Sequence, residues 1–189
     1  MSKIIKKYFF FARHAETDWN HQKLCQGQHD VPLNERGSQE AKRLATRSLT
    51  LNIDCVVTSP LSRALETARE IHDVHSHAHF HVVPELSERC WGLLEGISSE
   101  EMYAIERLEE RDPSYVPGNG VETRKAFRER VSKGIKIAQT YHQHPLIISH
   151  GRVFTELCNI LGIPPVRQIP NCQLVKISTN DKGWEAHII

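Results

Sequence analysis

Phe9–Asn20 reads FFFARHAETDWN. Three aromatics and an alanine run straight into an arginine, a histidine and a row of polar and acidic residues. The apolar run is rich in β-branched and aromatic residues and predicts a strand over Ile4–Ala12, central and buried at its C-terminal end. Such a strand, stopping at Arg13-His14, delivers those two side chains to one edge of a sheet. The pattern recurs at Leu146–Gly151 (LIISHG), where a second apolar strand ends in Ser149-His150. Between the two, Asp54–Thr58 (DCVVT) runs into Ser59-Pro60-Leu61-Ser62-Arg63, which puts Arg63 in the first turn of the following helix.

The remaining chain alternates helix and strand. Ala41, Leu44, Ala45 and Leu49 predict a helix over Ser38–Leu49; Leu61, Ala64, Leu65, Ala68 and Ile71 form one apolar stripe over Leu61–His72. Phe80–Val83 reads as a strand. Ser98–Arg111 is a helix capped by Ser98 or Ser99, Glu122–His142 a long helix, and Val153–Leu161 a helix stopped by Gly162 and two prolines. Pro145–Ser149, Leu174–Ser178 and Glu185–Ile189 complete the strands, the last two around a turn at Asn180–Gly183. This order predicts one α/β domain over residues 1–189: a three-layer sandwich with a mostly parallel central sheet flanked by helices.

Composition narrows the partners. With 24 basic and 23 acidic residues the net charge is +1, so no global field draws the chain to nucleic acid or an anionic membrane. Affinity for an anion must come from a local pocket. Cys25, Cys55, Cys90, Cys158 and Cys172 are odd in number and form no C-x-x-C pair; buried thiols in a reducing cytoplasm are expected, not a disulfide framework. No window approaches a membrane span, and the N-terminal MSKIIKKYFFFA lacks a cleavage site. A small-molecule partner, no cofactor and a cytoplasmic location are the expectations, and a homodimer is compatible with them.

Two features invite a stronger reading. His75, His77, His79 and His81 alternate, and on one strand would share a face able to hold a transition metal. No carboxylate or cysteine completes the ligand set, so a solvated loop entering an edge strand is expected, with Ala78, Phe80 and Val82 turned inward and no metal bound. Arg124, Lys125, Arg128, Arg130, Lys133 and Lys136 read as the solvated face of an amphipathic helix.

In open α/β sheets ligands bind in the crevice at the carboxyl ends of the strands. Arg13, His14, Arg63 and His150 all fall at strand-to-helix turns, which places two guanidiniums and two imidazoles in one pocket. Burying them together is costly without a strong anion. A phosphoryl group fits, because guanidinium forks match its oxygens in bidentate geometry. Helix starts after Pro60 and at Gly151 would add backbone N–H donors.

Phe11–Asn20 (FARHAETDWN), Thr58–Ala68 (TSPLSRALETA), Glu85–Gly96 (ELSERCWGLLEG) and Ile148–Gly151 (ISHG), in this order, resemble the histidine phosphatase superfamily with its phosphoglycerate-mutase-like fold. The similarity runs from about Phe9 to Leu161. It implies that His14 is the nucleophile that becomes phosphohistidine, that Arg13, Arg63 and His150 hold the phosphoryl oxygens, and that Asn20, Gln26, Gly27 and Gly151 line the phosphate and substrate pocket. Glu85, Glu88 and Glu95 are the carboxylates on offer as general acid. The family pattern places the acid four residues before a glycine, which selects Glu88 ahead of Gly92; Glu85 is the alternative and Glu95 a brace for the loop. The resemblance implies a metal-independent phosphomonoesterase acting on a small phosphorylated metabolite. A cofactor-dependent phosphoglycerate mutase is the alternative enzyme, although mutases carry a larger insertion between acid and second histidine; a non-catalytic phospho-ligand binder is the third reading. The family usually has glycine where Ala15 stands, a departure that matters if that residue needs a positive φ. Arg152 could reach a second anionic group of the substrate or sit on the helix surface.

Overall fold

The computed structural model describes residues 8–141, 143–164 and 169–189. Its sheet contains β1 (Tyr8–Arg13), β2 (Cys55–Thr58), β3 (His79–Val82), β4 (Pro145–Ser149), β5 (Leu174–Asn180) and β6 (Gly183–Ile188), in the order β3-β2-β4-β1-β5-β6. The four strands from β3 to β1 run parallel; β5 is antiparallel to β1 and β6 to β5. The mostly parallel sheet expected from the sequence is therefore present. The part of the first predicted strand before Tyr8 lies outside the described residues.

Alternation along β1 sends consecutive aromatics to opposite layers. Phe9 and Phe11 join Phe127, Val131 and Ile135 of α5 (Arg124–Tyr141) and Val153, Phe154 and Leu157 of α6 (Gly151–Leu161). Phe10 and Ala12 join Leu44 and Ala45 of α2 (Glu35–Ser48) and Ala64, Ala68 and Ile71 of α3 (Ser62–Val74). Phe9 and Phe11 are 0% exposed, so each contributes on the order of 1.5–3 kcal/mol by leaving water. The layer assignment also fixes where a ligand can sit. The helices after β1 and β2 lie on one face and those after β3 and β4 on the other, so chain direction across the sheet reverses between the neighbours β1 and β4. That is a topological switch point, and a crevice opens at its carboxyl end.

A smaller core joins Cys25, Trp91, Met102 and Val121. It ties α4 (Ser99–Arg111) to the loop that follows α1 (Asp18–His21), helped by an isolated bridge between Leu24 and Ser98. The short helix α1 falls in a stretch that reads as loop from composition. It forms because Thr17 and Asn20 make a capping box, each side chain meeting the other's backbone N–H. Two further helices start earlier than periodicity predicts. Asn34 Oδ1 accepts from Gly37 N and starts α2 at Glu35, and α6 begins at Gly151 directly after His150.

Two expectations about surface features need correction. Strand β3 lies one residue earlier than expected, and Val82 is 44% exposed instead of facing inward. The four alternating histidines do not share a strand face. His75 ends α3, is buried and meets Ser48 Oγ at 3.0 Å, whereas His79 and His81 lie on β3, with His81 stacked on Tyr141. The basic run of α5 is likewise only partly a solvated face. Arg128 pairs with Glu156, Lys133 with Glu85 at 2.7 Å, and Arg130 turns inward onto Glu122 at 2.7 Å. Glu156 and Glu85 come from other elements and are invisible to helical periodicity, whereas Glu122 lies just before α5.

Candidate active site

At the switch point Arg13 pairs with Ser149 in parallel register, so the next residues on each chain, His14 and His150, emerge level with one another. Their rings lie 5.2 Å apart. His14 N donates to Ser149 O at 2.9 Å, and Ser59 N donates to Ile148 O at 3.2 Å, carrying the ladder past the last strand residues. A cavity of about 470 Å³ opens here, lined among others by Arg13, His14, Asn20, Gln26, Gly27, Arg63, Glu88 and Gly151. Eight of the nine residues singled out in the sequence therefore line one cavity. The ninth, His150, is fully buried against His14 and does not line the cavity.

The imidazole of His14 is set for one tautomer. A carbonyl oxygen can only accept, so the 2.7 Å contact to Ala15 O puts the proton on Nδ1 and leaves the lone pair on Nε2. Burial, then the nearby Arg63 and Arg13 guanidiniums, hold its pKa well below the ordinary value of 6.5. His150 is held neutral in the same direction, again chiefly by burial and then by Arg63. Its Nε2 lies 2.8 Å from Ser59 Oγ. If that hydroxyl donates its single proton to Nε2, His150 carries its own proton on Nδ1, which has no protein partner among the described residues.

The guanidiniums are positioned by carbonyls. Arg63 donates to His29 O at 2.9 Å and to Gly27 O at 2.7 Å, and Arg13 donates to Ile169 O at 2.9 Å. In both, Nε is buried with no protein acceptor among the described residues. Burial lowers the pKa of each, that of Arg63 to about 10, opposed in both cases by Glu88. Both remain cationic at neutral pH. Gly27 has φ +51°, and a Cβ there would lie 2.0 Å from Glu95 Oε1, so only glycine allows the turn that presents its carbonyl to Arg63.

Glu88 reaches the cavity from the loop after β3. Its Oε1 accepts from Arg89 N at 2.9 Å and its Oε2 from Arg152 N at 3.1 Å, which fastens the carboxyl group to the first turn of α6. Glu95 braces the loop, its Oε1 accepting from Gln28 N and Trp91 N. Glu85 does not line the cavity and is committed to Lys133. The donors expected from the start of α3 are also committed: Ser62 N donates to Asp30 Oδ1 at 2.7 Å and Leu61 N to Ser59 Oγ. Ala15 is not among the residues with positive φ, so alanine replaces glycine without backbone strain. Burial pushes the Cys25 thiol up to about 12, which leaves it protonated and inert.

Periodicity missed several contributors. Asn171 donates to His14 O at 2.8 Å and to Asn20 Oδ1 at 3.2 Å, joining β1 to the capping box of α1. Thr67 accepts from Ala15 N and donates to Arg63 O, so one hydroxyl links the residue after His14 to a cation. Thr67 lies within the TSPLSRALETA run and was visible there; nothing in the spacing around Asn171 marks it. Trp19, Trp91, Met102 and Tyr103 line the cavity as well. Arg152 lines it too, paired with Glu106 at 2.7 Å, its guanidinium 5.2 Å from the Tyr103 ring centroid.

The profile of the histidine phosphatase superfamily (branch 1) matches residues 9–189. An uncharacterised phosphatase, PhoE of Bacillus subtilis strain 168, is 34% identical over 182 residues, covering 92% of this chain and 89% of the relative. A probable phosphoglycerate mutase, GpmB of Enterobacter sp. strain 638, is 28% identical over 188 residues, covering 94% and 87%. The crystal structure of a putative α-ribazole-5'-P phosphatase from Escherichia coli K-12 superposes with a TM-score of 0.77 at 26% identity, over 97% of this chain and 96% of that one.

Proposed function

The chain belongs to the histidine phosphatase superfamily, and from that premise we propose that it is a metal-independent phosphomonoesterase of the cytoplasm, with His14 as nucleophile. The supporting observation is the set of buried nitrogen atoms around His14: Arg13 Nε, Arg63 Nε and His150 Nδ1, each without a protein partner among the described residues. Buried donors left unpaired are costly, and an oxyanion satisfies them together.

In the proposed reaction His14 Nε2 attacks phosphorus in line. An N–P bond forms as the P–O bond to the leaving alcohol breaks, and Glu88 gives its proton to the departing oxygen. Water then attacks the phosphohistidine, Glu88 takes up its proton, and the N–P bond breaks to release inorganic phosphate. Arg13 and Arg63 stabilise charge on the equatorial oxygens, the task that magnesium performs in other phosphoryl-transfer sites. His150 is the third donor, through Nδ1. Asn20, Gln26, Gly27 and Gly151 shape the pocket around the phosphoryl group.

The kinship to PhoE and to the α-ribazole-5'-P phosphatase supports transfer to water; the kinship to GpmB supports a mutase as the second reading. Release of inorganic phosphate and interconversion of 2- and 3-phosphoglycerate, followed side by side, separate them. Phosphate release from a panel of metabolites including α-ribazole 5'-phosphate, undiminished by chelator, is expected. Interconversion without release would establish the mutase.

A further inference from the structure

We propose that Arg130 is a positioning residue for the general acid: it clamps the irregular loop that carries Glu88 and thereby fixes the carboxyl group against the leaving oxygen. The inference rests on Glu88 being the acid, as proposed above.

Residues 85–88 form no ladder with a strand, yet four successive carbonyls are captured by side chains. Arg130 Nη1 donates to Glu85 O at 3.0 Å and Ser87 O at 2.8 Å; Arg130 Nη2 donates to Glu88 O at 3.1 Å. Ser149 Oγ donates to Leu86 O at 2.7 Å. Ser149 directly precedes His150, so the loop is indexed to the strand end that also sets the two histidines.

The guanidinium is itself held by Glu122, whose Oε1 accepts from Nε at 2.9 Å and whose Oε2 accepts from Nη2 at 2.7 Å. Glu122 Oε2 also accepts from Cys90 N at 3.2 Å, and Glu122 N donates to Cys90 O at 2.9 Å. The Arg130–Glu122 pair thus grips the chain on both sides of Glu88. Both side chains are largely buried, at 21% and 15% exposed, where a fixed fork keeps its geometry. Lysine, a single rotatable point charge, cannot serve three carbonyls and a carboxylate at once. Arg130 does not line the cavity, so it reaches Glu88 through the loop; its charge is also a minor contributor to holding His150 neutral.

A leaving-group test distinguishes this from a general structural role. p-Nitrophenolate departs without a proton, whereas the alkoxide of β-glycerophosphate needs one, so a misplaced acid penalises only the second substrate. The full chain is assayed as wild type, Glu88→Gln, Arg130→Met, Arg130→Lys and Glu122→Gln, with kcat/KM for both substrates and inhibition by inorganic phosphate. Arg130→Met is expected to lose about 30-fold or more on β-glycerophosphate and less than about threefold on p-nitrophenyl phosphate, since acid–base assistance carries about 10²–10⁴-fold. Phosphate inhibition stays at the wild-type level, and Arg130→Lys falls between Met and wild type. Equal losses on both substrates, or none on either, overturn the proposal. If Arg130→Met does not fold, the same split is required of folded Arg130→Lys or Glu122→Gln, and its absence there overturns the proposal equally. A Glu88→Gln enzyme without the split refutes Glu88 as acid and this inference with it. A split in Glu88→Gln alone refutes only the role of Arg130.

Discussion

Arg13, His14 and His150 stand at the ends of two adjacent parallel strands, whereas Glu88 rides on a loop whose carbonyls are held one at a time by side chains. The first group inherits its geometry from the β1–β4 register, in which each backbone bond supports its neighbours. The second depends on Arg130, Ser149, Gln28 and the start of α6, any one of which can be altered alone. Their packing differs too. Arg13, His14 and His150 follow strands packed between the two large cores, while Trp91 and Met102, which also line the cavity, belong to the small cluster with Cys25 and Val121. One set of lining residues is tied to the sheet register; the other can be changed without disturbing the sheet.

The largest test of this contrast removes the nucleophile. His14→Ala is expected to lower turnover on the order of 10⁴-fold or more while a phosphate analogue still binds, because Arg13 and Arg63 keep their carbonyl partners. Persistent turnover in that variant would refute the mechanism. Core substitutions come next. Phe11→Ala should cost about 3–5 kcal/mol and Met102→Ala about 2 kcal/mol, read from denaturant unfolding. A larger cost at Met102 would mean that the small cluster, not the sheet, carries the fold.

The pH test has a definite sign. His14 and His150 are kept neutral in the folded chain but titrate near 6.5 once unfolded. Below that pH the unfolded chain binds more protons, so this contribution to stability is intact above about 6.5 and declines as the pH falls below it. The acid limb of kcat/KM should correspondingly lie well under 6.5. Thermal unfolding from pH 8 to 5 in wild type and His14→Asn checks the first point; an equally steep decline in the variant would remove His14 from the account. The smallest effect is expected at Arg152. Glu106→Gln leaves the Arg152 charge less neutralised, and should raise kcat/KM for 3-phosphoglycerate relative to β-glycerophosphate by about two- to fivefold, the range of a single partly exposed ion pair. No change in that ratio would place the leaving group away from Arg152.

Local pattern was sufficient wherever side chains sit at the ends of regular elements. The apolar runs before Arg13 and His150, and the short strand before Arg63, located the pocket because strand direction and alternation follow from covalent geometry and burial. The burial of His75 and the pairing of part of the basic run of α5 escaped for the complementary reason: their partners, Ser48 for His75 and Glu156 for Arg128, lie far along the chain. Which carboxylate faces the cavity also escaped periodicity, since Glu85, Glu88 and Glu95 differ only in the contacts that the folded loop gives them.

The amino-acid order alone settled the layers of the sandwich and the placing of two arginines and two histidines at turns between strand and helix. It did so because the hydrophobic period of each element is a property of neighbouring residues. The tertiary structure alone decided the tautomer of His14 and the commitment of Arg130 to the loop. Those are set by hydrogen bonds between residues brought together only when the sheet closes, and no local pattern encodes them.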